Sequence, residues 1–283
     1  MIPVYKGKRK GIVVISGGGA KGLCALGALR KLTEEKIVHN PDILCGTSAG
    51  AMICLFLNLG YSSDEIYELL INIDFSTLVT CDFEDIISDV HFGINSPAPF
   101  GYIIQKMIEE KGYNSNVTFK ELREKTGQIL IITGTCVNTV SLQYFSAEIT
   151  PNTPVLDAVQ ISIAIPFIFK PYKYDNKIWI DGGCMNNYAI DLFHDKLNDV
   201  IGICLDDDIE EHTQFEDVQT YFSQVLKCIT KGVNLTKVDF YKKYTIHIKC
   251  KCDISANWEM KKKHKVKLFD YGYKTAVNYI SNM

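Results

Sequence analysis

The segment Gly46-Thr47-Ser48-Ala49-Gly50 constrains the fold of this chain more than any other part of its sequence. It places a serine between two glycines where a short apolar run, residues 43–45, changes into the apolar helical pattern of residues 49–59. In a sharp strand-to-helix turn, bulky residues beside the serine would collide with neighbouring backbone. The segment therefore predicts such a turn, with Gly46 and Gly50 as its elbow and Ser48 presenting a nucleophilic hydroxyl.

The apolar runs around this turn predict an α/β fold. Residues 11–15 suit a strand buried on both faces, and residues 20–35 carry apolar positions at helical spacing. With the strand and helix of the elbow they form a β-α-β-α beginning, which predicts parallel strands and a right-handed crossover. We expect a three-layer α/β/α fold with a mixed, largely parallel central sheet. Further strands are predicted at 129–133, 142–145, 177–180, 200–205 and 245–248, and helices within 62–124, at 154–164, at 215–235 and after 260.

Length and composition favour one domain. The chain has 283 residues, 47% of them hydrophobic, and no Pro/Gly/Ser-rich linker or internal repeat divides it. We expect a single domain over residues 1–283. The motifs lie within about 11–190, and residues 191–283 are expected to supply C-terminal strands and covering helices.

Charge and cysteine usage exclude several classes of function. A net charge of −3 gives no general attraction to nucleic acid. No apolar signal core follows Met1, so the ten cysteines favour a reducing, cytoplasmic location rather than a disulfide scaffold. Cys250 and Cys252 lack the spacing of a zinc pair, and we assign no metal. The longest apolar run, residues 51–57, is too short for a transmembrane segment, so membrane contact is expected to be peripheral.

A glycine cluster, Gly17-Gly18-Gly19-Ala20-Lys21-Gly22, follows the first predicted strand. One interpretation is a dinucleotide cradle, but Asp42 precedes the second strand instead of closing it, and Lys21 is followed by glycine instead of the Ser or Thr of a phosphate loop. The other interpretation is an oxyanion hole for a carbonyl attacked by Ser48. It comprises Gly17, Gly18 and Gly19, with the N–H groups of the last two as the preferred donors.

The best candidate proton acceptor for Ser48 is Asp181. It stands at the end of a predicted strand in Ile180-Asp181-Gly182-Gly183, where Gly182 and Gly183 leave the carboxylate unobstructed. An ordinary Asp-Gly turn is the alternative, because spacing alone does not pair Asp181 with Ser48.

Together these elements resemble the patatin-like phospholipase family. Its members carry a glycine-rich oxyanion loop, a Gly-x-Ser-x-Gly elbow and a downstream Asp-Gly-Gly or Asp-Gly-Ala motif, here residues 17–22, 46–50 and 181–183. Residues 162–171 are similar to the family's Ser-x-Ala-x-Pro-x-x-Phe-x-Pro segment. The resemblance covers about residues 11–188 and departs at Asn187-Tyr188-Ala189, where members often have Asn-x-Pro.

The resemblance implies a serine lipid acyl hydrolase with a Ser48–Asp181 dyad, no histidine and no cofactor, acting on phospholipid or glycerolipid esters through an acyl-enzyme. An aspartate has an ordinary pKa of about 3.9, so burial would have to raise its basicity. Two alternatives stay open: a non-catalytic lipid-binding module of the same fold, and a Ser-His-Asp triad. The histidines considered for the triad are His194, His212, His247 and His264.

Two further features concern lipid contact. An acyl pocket is predicted from Phe92, Phe100, Phe167 and Phe169. The basic run of residues 261–267, like the N-terminal cluster of residues 6–10, fits either a solvated face or contact with anionic headgroups, and we favour the solvated face.

Overall fold

A mixed β-sheet forms the centre of the computed structural model, which describes residues 9–77, 93–95, 98–208, 218–234, 236–250 and 260–283. The strands are β1 (Ile12–Ile15), β2 (Ile43–Gly46), β3 (Gly93–Asn95), β4 (Ile129–Cys136), β5 (Ser141–Phe145), β6 (Phe167–Phe169), β7 (Tyr172–Tyr174), β8 (Lys177–Asp181), β9 (Val200–Asp207) and β10 (Thr245–Cys250). Within these residues the main sheet runs in the order β10-β9-β1-β2-β4-β8-β7, β5 pairs with β4, and β3 pairs with β6.

Strand direction divides the main sheet into two parts. The pairs β10–β9, β9–β1, β1–β2 and β2–β4 are parallel, whereas β5, β8 and β7 join the sheet through antiparallel pairs. The carboxyl ends of the parallel strands therefore meet at one edge of the sheet. The predicted mixed, largely parallel sheet is confirmed.

Helices cover both faces of the sheet. They are α1 (Gly22–Glu34), α2 (Ala49–Asn58), α3 (Ser63–Asn72), α4 (Ala98–Glu110), α5 (Phe119–Thr126), α6 (Val155–Ser162), α7 (Gly183–Asn186), α8 (Val218–Asn234), α9 (Lys237–Phe240) and α10 (Lys262–Ser281), with 3-10 turns at Gly19–Lys21 and Ala189–Asp199. The expected three-layer α/β/α architecture is confirmed.

Strand β1 shows why the sheet is buried on both faces. Val13 and Ile15 pack into a large core with α1 and α2, and Ile12 and Val14 face a second core around Tyr188. Successive side chains of a strand point to opposite faces, so an uninterrupted apolar run requires cover on each side.

Some predicted elements change in detail. The polar stretch 62–124 contains α3 and α5, which begin at capping boxes formed by Ser62 with Glu65 and by Thr118 with Glu121. The predicted helix at 215–235 is described from Val218 to Asn234, and its first residues lie outside the described part. Strands β6 and β7 were not predicted, because three residues are too few to show an alternating pattern.

The C-terminal helix α10 packs closely on α1 through two glycines. A Cβ atom at Gly27 would overlap the carbonyl oxygen of Phe269, and one at Gly272 would overlap that of Cys24. Residues outside the segment that carries the motifs therefore join the main core by backbone-to-backbone contact.

We expect Gly27→Ala to destabilise the fold, because its methyl group would push α10 away from α1. The free energy of unfolding should fall by about 2–3 kcal/mol, as for other overpacked sites. The matched control is Gly232→Ala on α8, where no atom lies within 4 Å of an added Cβ. Because alanine favours helix, this control should gain up to about 1 kcal/mol. Urea denaturation measures both, and wild-type stability of Gly27→Ala would contradict this packing.

Candidate active site

The elbow at Ser48 joins β2 to α2 in a strained conformation. Ser48 has φ 53° and ψ −124°, in the positive-φ region that non-glycine residues rarely adopt. Such a residue costs about 1–3 kcal/mol and persists only where its surroundings impose it. A Cβ atom at Gly46 would overlap the Gly50 carbonyl, and one at Gly50 would overlap that of Ile15. Both glycines are therefore required by backbone contacts.

Buried hydrogen bonds fix the elbow to neighbouring parts of the chain. The Ser48 N–H donates to the Ser162 Oγ at 2.9 Å. The Thr47 hydroxyl donates to the Asn186 carbonyl at 3.2 Å and accepts a hydrogen bond from Thr133 at 2.8 Å. Sequence reasoning placed Ser162 in a family motif without a role, because the contact spans 114 positions.

Asp181 lies at the end of β8 and is 5% exposed. Its Oδ1 accepts the Gly183 N–H at 2.6 Å, and the Ser48 side chain lies near enough to the carboxylate to influence its pKa. Burial raises the pKa of Asp181 to about 7, although Ser48 and the Gly183 N–H both act to lower it. The structure thus brings the two residues together and holds the carboxyl far from its ordinary titration range.

The two glycines after Asp181 fit tightly. A Cβ atom at Gly182 would overlap Thr133, and one at Gly183 would lie 2.8 Å from the Asn187 Oδ1 and 3.0 Å from the Asp181 Oδ1. A side chain at position 182 would therefore collide with Thr133, and one at position 183 would crowd the Asp181 carboxylate.

The glycine loop runs from the end of β1 into α1, beside Ser48. The Gly17 N–H donates to the Asn187 carbonyl at 3.1 Å, so its donor is already used. In the described part of the chain, the N–H groups of Gly18 and Gly19 have no acceptor. Gly19 has φ 53° and opens the 3-10 turn that leads into α1. The N–H groups of Gly18 and Gly19 are thus available to an acceptor beside Ser48, while the Gly17 N–H fixes the loop to the Asn187 segment.

Two cavities meet at Ser48. The first is lined almost entirely by apolar groups: Gly19, Ala20, Gly22, Leu23, Ser48, Ala49, Met52, Ile53, Leu70, Phe75, Phe100, Ile163, Ile165 and Phe169. Two of the predicted acyl-pocket aromatics, Phe100 and Phe169, belong to this wall, with ring centres 5.7 Å apart. Phe167 does not line it, and Phe92 lies outside the described residues.

The second cavity is more polar than the first and is lined by Ser48, Asp181 and all three loop glycines. On its wall the Lys21 Nζ pairs with the Asp207 Oδ1 at 2.6 Å. Nearby, the His247 Nε2 lies 3.2 Å from the Asp206 Oδ2. Burial raises the pKa of Asp206, but the hydrogen bonds from His247 and the Asp207 N–H outweigh it and leave the pKa below its usual value. This cavity suits a polar group, whereas the first suits a hydrocarbon chain.

The histidines of the triad alternative lie elsewhere. His194 stacks on Phe240 with ring centres 5.9 Å apart, His247 pairs with Asp206, and His264 is exposed on α10. No histidine among the described residues lines either cavity at Ser48, and His212 lies outside that part of the chain.

Across the described ranges, no three His, Cys, Asp or Glu side chains come together as a metal site would require. The helices of that same part of the chain include none with the length and apolarity needed to cross a bilayer.

In this α/β/α fold, a strained serine elbow and a buried carboxyl thus lie side by side. The chain belongs to the patatin-like phospholipase family, whose model matches residues 13–194, and the resemblance seen in the motifs is thereby confirmed. Membership places it in a family of ester-bond hydrolases.

Relatives in other organisms agree with this placement. "Probable lipid hydrolase 463L" of Invertebrate iridescent virus 6 is 33% identical over 192 residues, which cover 66% of this chain and 65% of that protein. "Uncharacterized protein R571" of Acanthamoeba polyphaga mimivirus is 28% identical and matches 95% of this chain and 93% of its own. The crystal structure of VipD from Legionella pneumophila shares the fold, with a TM-score of 0.72 at 17% identity, over 97% of this chain and 67% of VipD.

The raised pKa of Asp181 predicts a stability effect. Below about pH 4 the carboxyl is protonated in both the folded and the unfolded chain, so no charge has to be buried on folding. Above pH 4 only the unfolded chain loses this proton readily. The free energy of unfolding therefore falls as the pH rises to about 7, by at most about 4 kcal/mol. Asp181→Asn removes the charge, so it should raise the melting temperature at pH 8 and leave it nearly unchanged at pH 4. The control is Asp195→Asn at an exposed position. An equal shift for Asp181→Asn at both pH values would contradict the buried carboxylate.

Proposed function

We propose that this protein is a serine lipid acyl hydrolase that uses Ser48 and Asp181 as a catalytic dyad. The observation that carries the proposal is the position of the Ser48 side chain beside the buried Asp181 carboxyl, where an apolar cavity and a more polar cavity meet. The family and the name of the iridescent virus relative support the substrate class.

The proposed reaction has two halves. Asp181 accepts the Ser48 proton as Oγ attacks the ester carbonyl, and the N–H groups of Gly18 and Gly19 stabilise the oxyanion. Collapse of this intermediate breaks the bond to the alcohol, which leaves with the proton from Asp181. Water then attacks the acyl-enzyme as Asp181 takes its proton, and the bond to the Ser48 Oγ breaks as that proton passes to Oγ, which releases the fatty acid and restores both residues.

Burial makes Asp181 a better base than an exposed aspartate. A pKa of about 7 places it near neutral pH, where a general base combines a large ionised fraction with useful basicity. The serine hydroxyl is still a far weaker acid. Hence the two loop N–H groups and the positive end of α1 are needed to stabilise the charge that develops.

We infer that each of the two cavities binds one part of the ester. The acyl chain suits the apolar cavity that contains Phe100 and Phe169. Each methylene buried there stabilises the bound ester by about 0.8 kcal/mol. The alcohol, with its headgroup, then occupies the polar cavity beside Lys21 and Asp207. This arrangement favours an ester of a phospholipid or glycerolipid.

Domain organisation and location complete the proposal. We infer a single domain over residues 1–283, supported by the close contact of α10 with α1 and by the pairing of β10 with β9. A cytoplasmic location, with peripheral access to lipid surfaces, is supported by the cysteines of the described residues, which are all free thiols.

Removal of either dyad residue should abolish hydrolysis. We expect Ser48→Ala and Asp181→Asn to lower kcat/KM by at least about 10³-fold, because each deletes one half of the proton transfer. Fatty acid release from a mixed phospholipid and glycerolipid panel measures the loss, with exposed Ser281→Ala as the control. Wild-type turnover by either folded dyad variant would exclude the proposed dyad.

The pH profile should report Asp181. Only the carboxylate form can act as base, so kcat/KM should rise about tenfold per pH unit below 7 and level off above it. Hydrolysis of a soluble short-chain ester between pH 5 and 9 tests this. A profile that levels off near pH 4 would show an aspartate of ordinary pKa and contradict the role given to burial.

A further inference from the structure

One lysine of the C-terminal basic run points into the interior. Lys265 of α10 is 2% exposed, while its neighbours Lys263 and Lys267 are exposed. The interpretation of this run as a solvated face is therefore wrong at Lys265. A buried ammonium group requires close polar partners to offset its lost hydration, and the partners of Lys265 all come from one segment.

That segment is the end of α3 and the residues after it. The Lys265 Nζ donates to the carbonyl oxygens of Leu70 at 3.1 Å and Ile71 at 3.4 Å, and also to that of Ile73. The last carbonyls of a helix have no partners within the helix and carry its negative dipole end, so a cation is favoured there. The Nζ also lies 4.4 Å from the centre of the Phe75 ring, within the range of a cation–π contact.

Two of the residues that contact Lys265, Leu70 and Phe75, form part of the wall of the apolar cavity at Ser48. Lys265 does not line the cavity itself. The ammonium group thus stabilises this part of the wall from outside the cavity. It does so by hydrogen bonds to the backbone of residues 70–73 and by its contact with the Phe75 ring.

We propose that Lys265 is a positioning residue that sets the length of acyl chain this cavity accepts. The inference rests on the proposed function, in which the acyl chain occupies the apolar cavity. Each additional methylene that the cavity buries is worth about fourfold in kcat/KM. A small displacement of Leu70 and Phe75 therefore changes the preferred chain length steeply.

The test compares Lys265→Met with Lys263→Met. Methionine keeps much of the length of the lysine side chain but cannot bind the carbonyls, and Lys263 offers the same change at an exposed position of the same helix. The measurement is kcat/KM for p-nitrophenyl esters from butanoyl to hexadecanoyl. In Lys265→Met the wall is released, so the dodecanoyl to butanoyl ratio should rise about tenfold, as expected for one or two more buried methylenes. Lys263→Met should keep the wild-type ratio.

A second variant guards against misfolding. Lys265→Gln keeps an N–H donor for the carbonyls and should shift the ratio in the same direction by a smaller factor. A folded Lys265 variant with the wild-type chain-length profile would overturn the inference. Failure of both variants to fold would overturn it as well, because Lys265 would then serve stability rather than selectivity.

A different result would exclude the proposed hydrolase function itself. If the wild-type protein hydrolyses no ester of the series in a Ser48-dependent manner, the hydrolase proposal itself is wrong. Ser48-dependent hydrolysis with an unchanged profile in folded Lys265→Met overturns the role of Lys265 alone.

Discussion

The site depends on one close backbone contact, between Gly50 at the start of α2 and the strand-end carbonyls of Ile15 and Ser16. Because Gly50 has no side chain, the start of α2 can lie directly against the end of β1, and the turn at Ser48 has to fit the short distance that this leaves. Strand β1 lies between β2 and β9, and the glycine loop leaves from its end. The candidate oxyanion donors follow β1 and the serine follows its neighbour β2, and each of these strands is paired on both sides. This pairing fixes their relative position.

Burial has opposite effects on stability and chemistry at Asp181. It makes the ionised carboxyl costly, yet the same desolvation raises the pKa to about 7 and creates a base that works near neutrality. The hydrogen bond from the Gly183 N–H and the nearby Ser48 side chain limit this cost. The surrounding glycines allow these contacts, because side chains at 182 and 183 would occupy the required space.

The sequence predicted those features that local pattern determines. The alternation of apolar runs and glycine motifs located the sheet, the elbow and the end of β8, where Asp181 lies. It did not predict that Ser162 would hold the Ser48 N–H, or that Asn187 would occupy the N–H of Gly17. Nor did it separate Lys265 from the other lysines of its run. These contacts join distant parts of the chain, so they follow from the tertiary fold and leave no local pattern.

The most direct test of the dyad is the rate at which a fluorophosphonate probe labels Ser48 as pH is varied. We expect labelling at Ser48 alone, with a rate that rises through a single ionisation near pH 7, and slow, pH-independent labelling in Asp181→Asn. Peptide mapping by mass spectrometry identifies the labelled residue. Absence of labelling in the folded protein, as expected of a non-catalytic lipid-binding module, would contradict the proposed dyad, and so would equal rates in the wild type and Asp181→Asn.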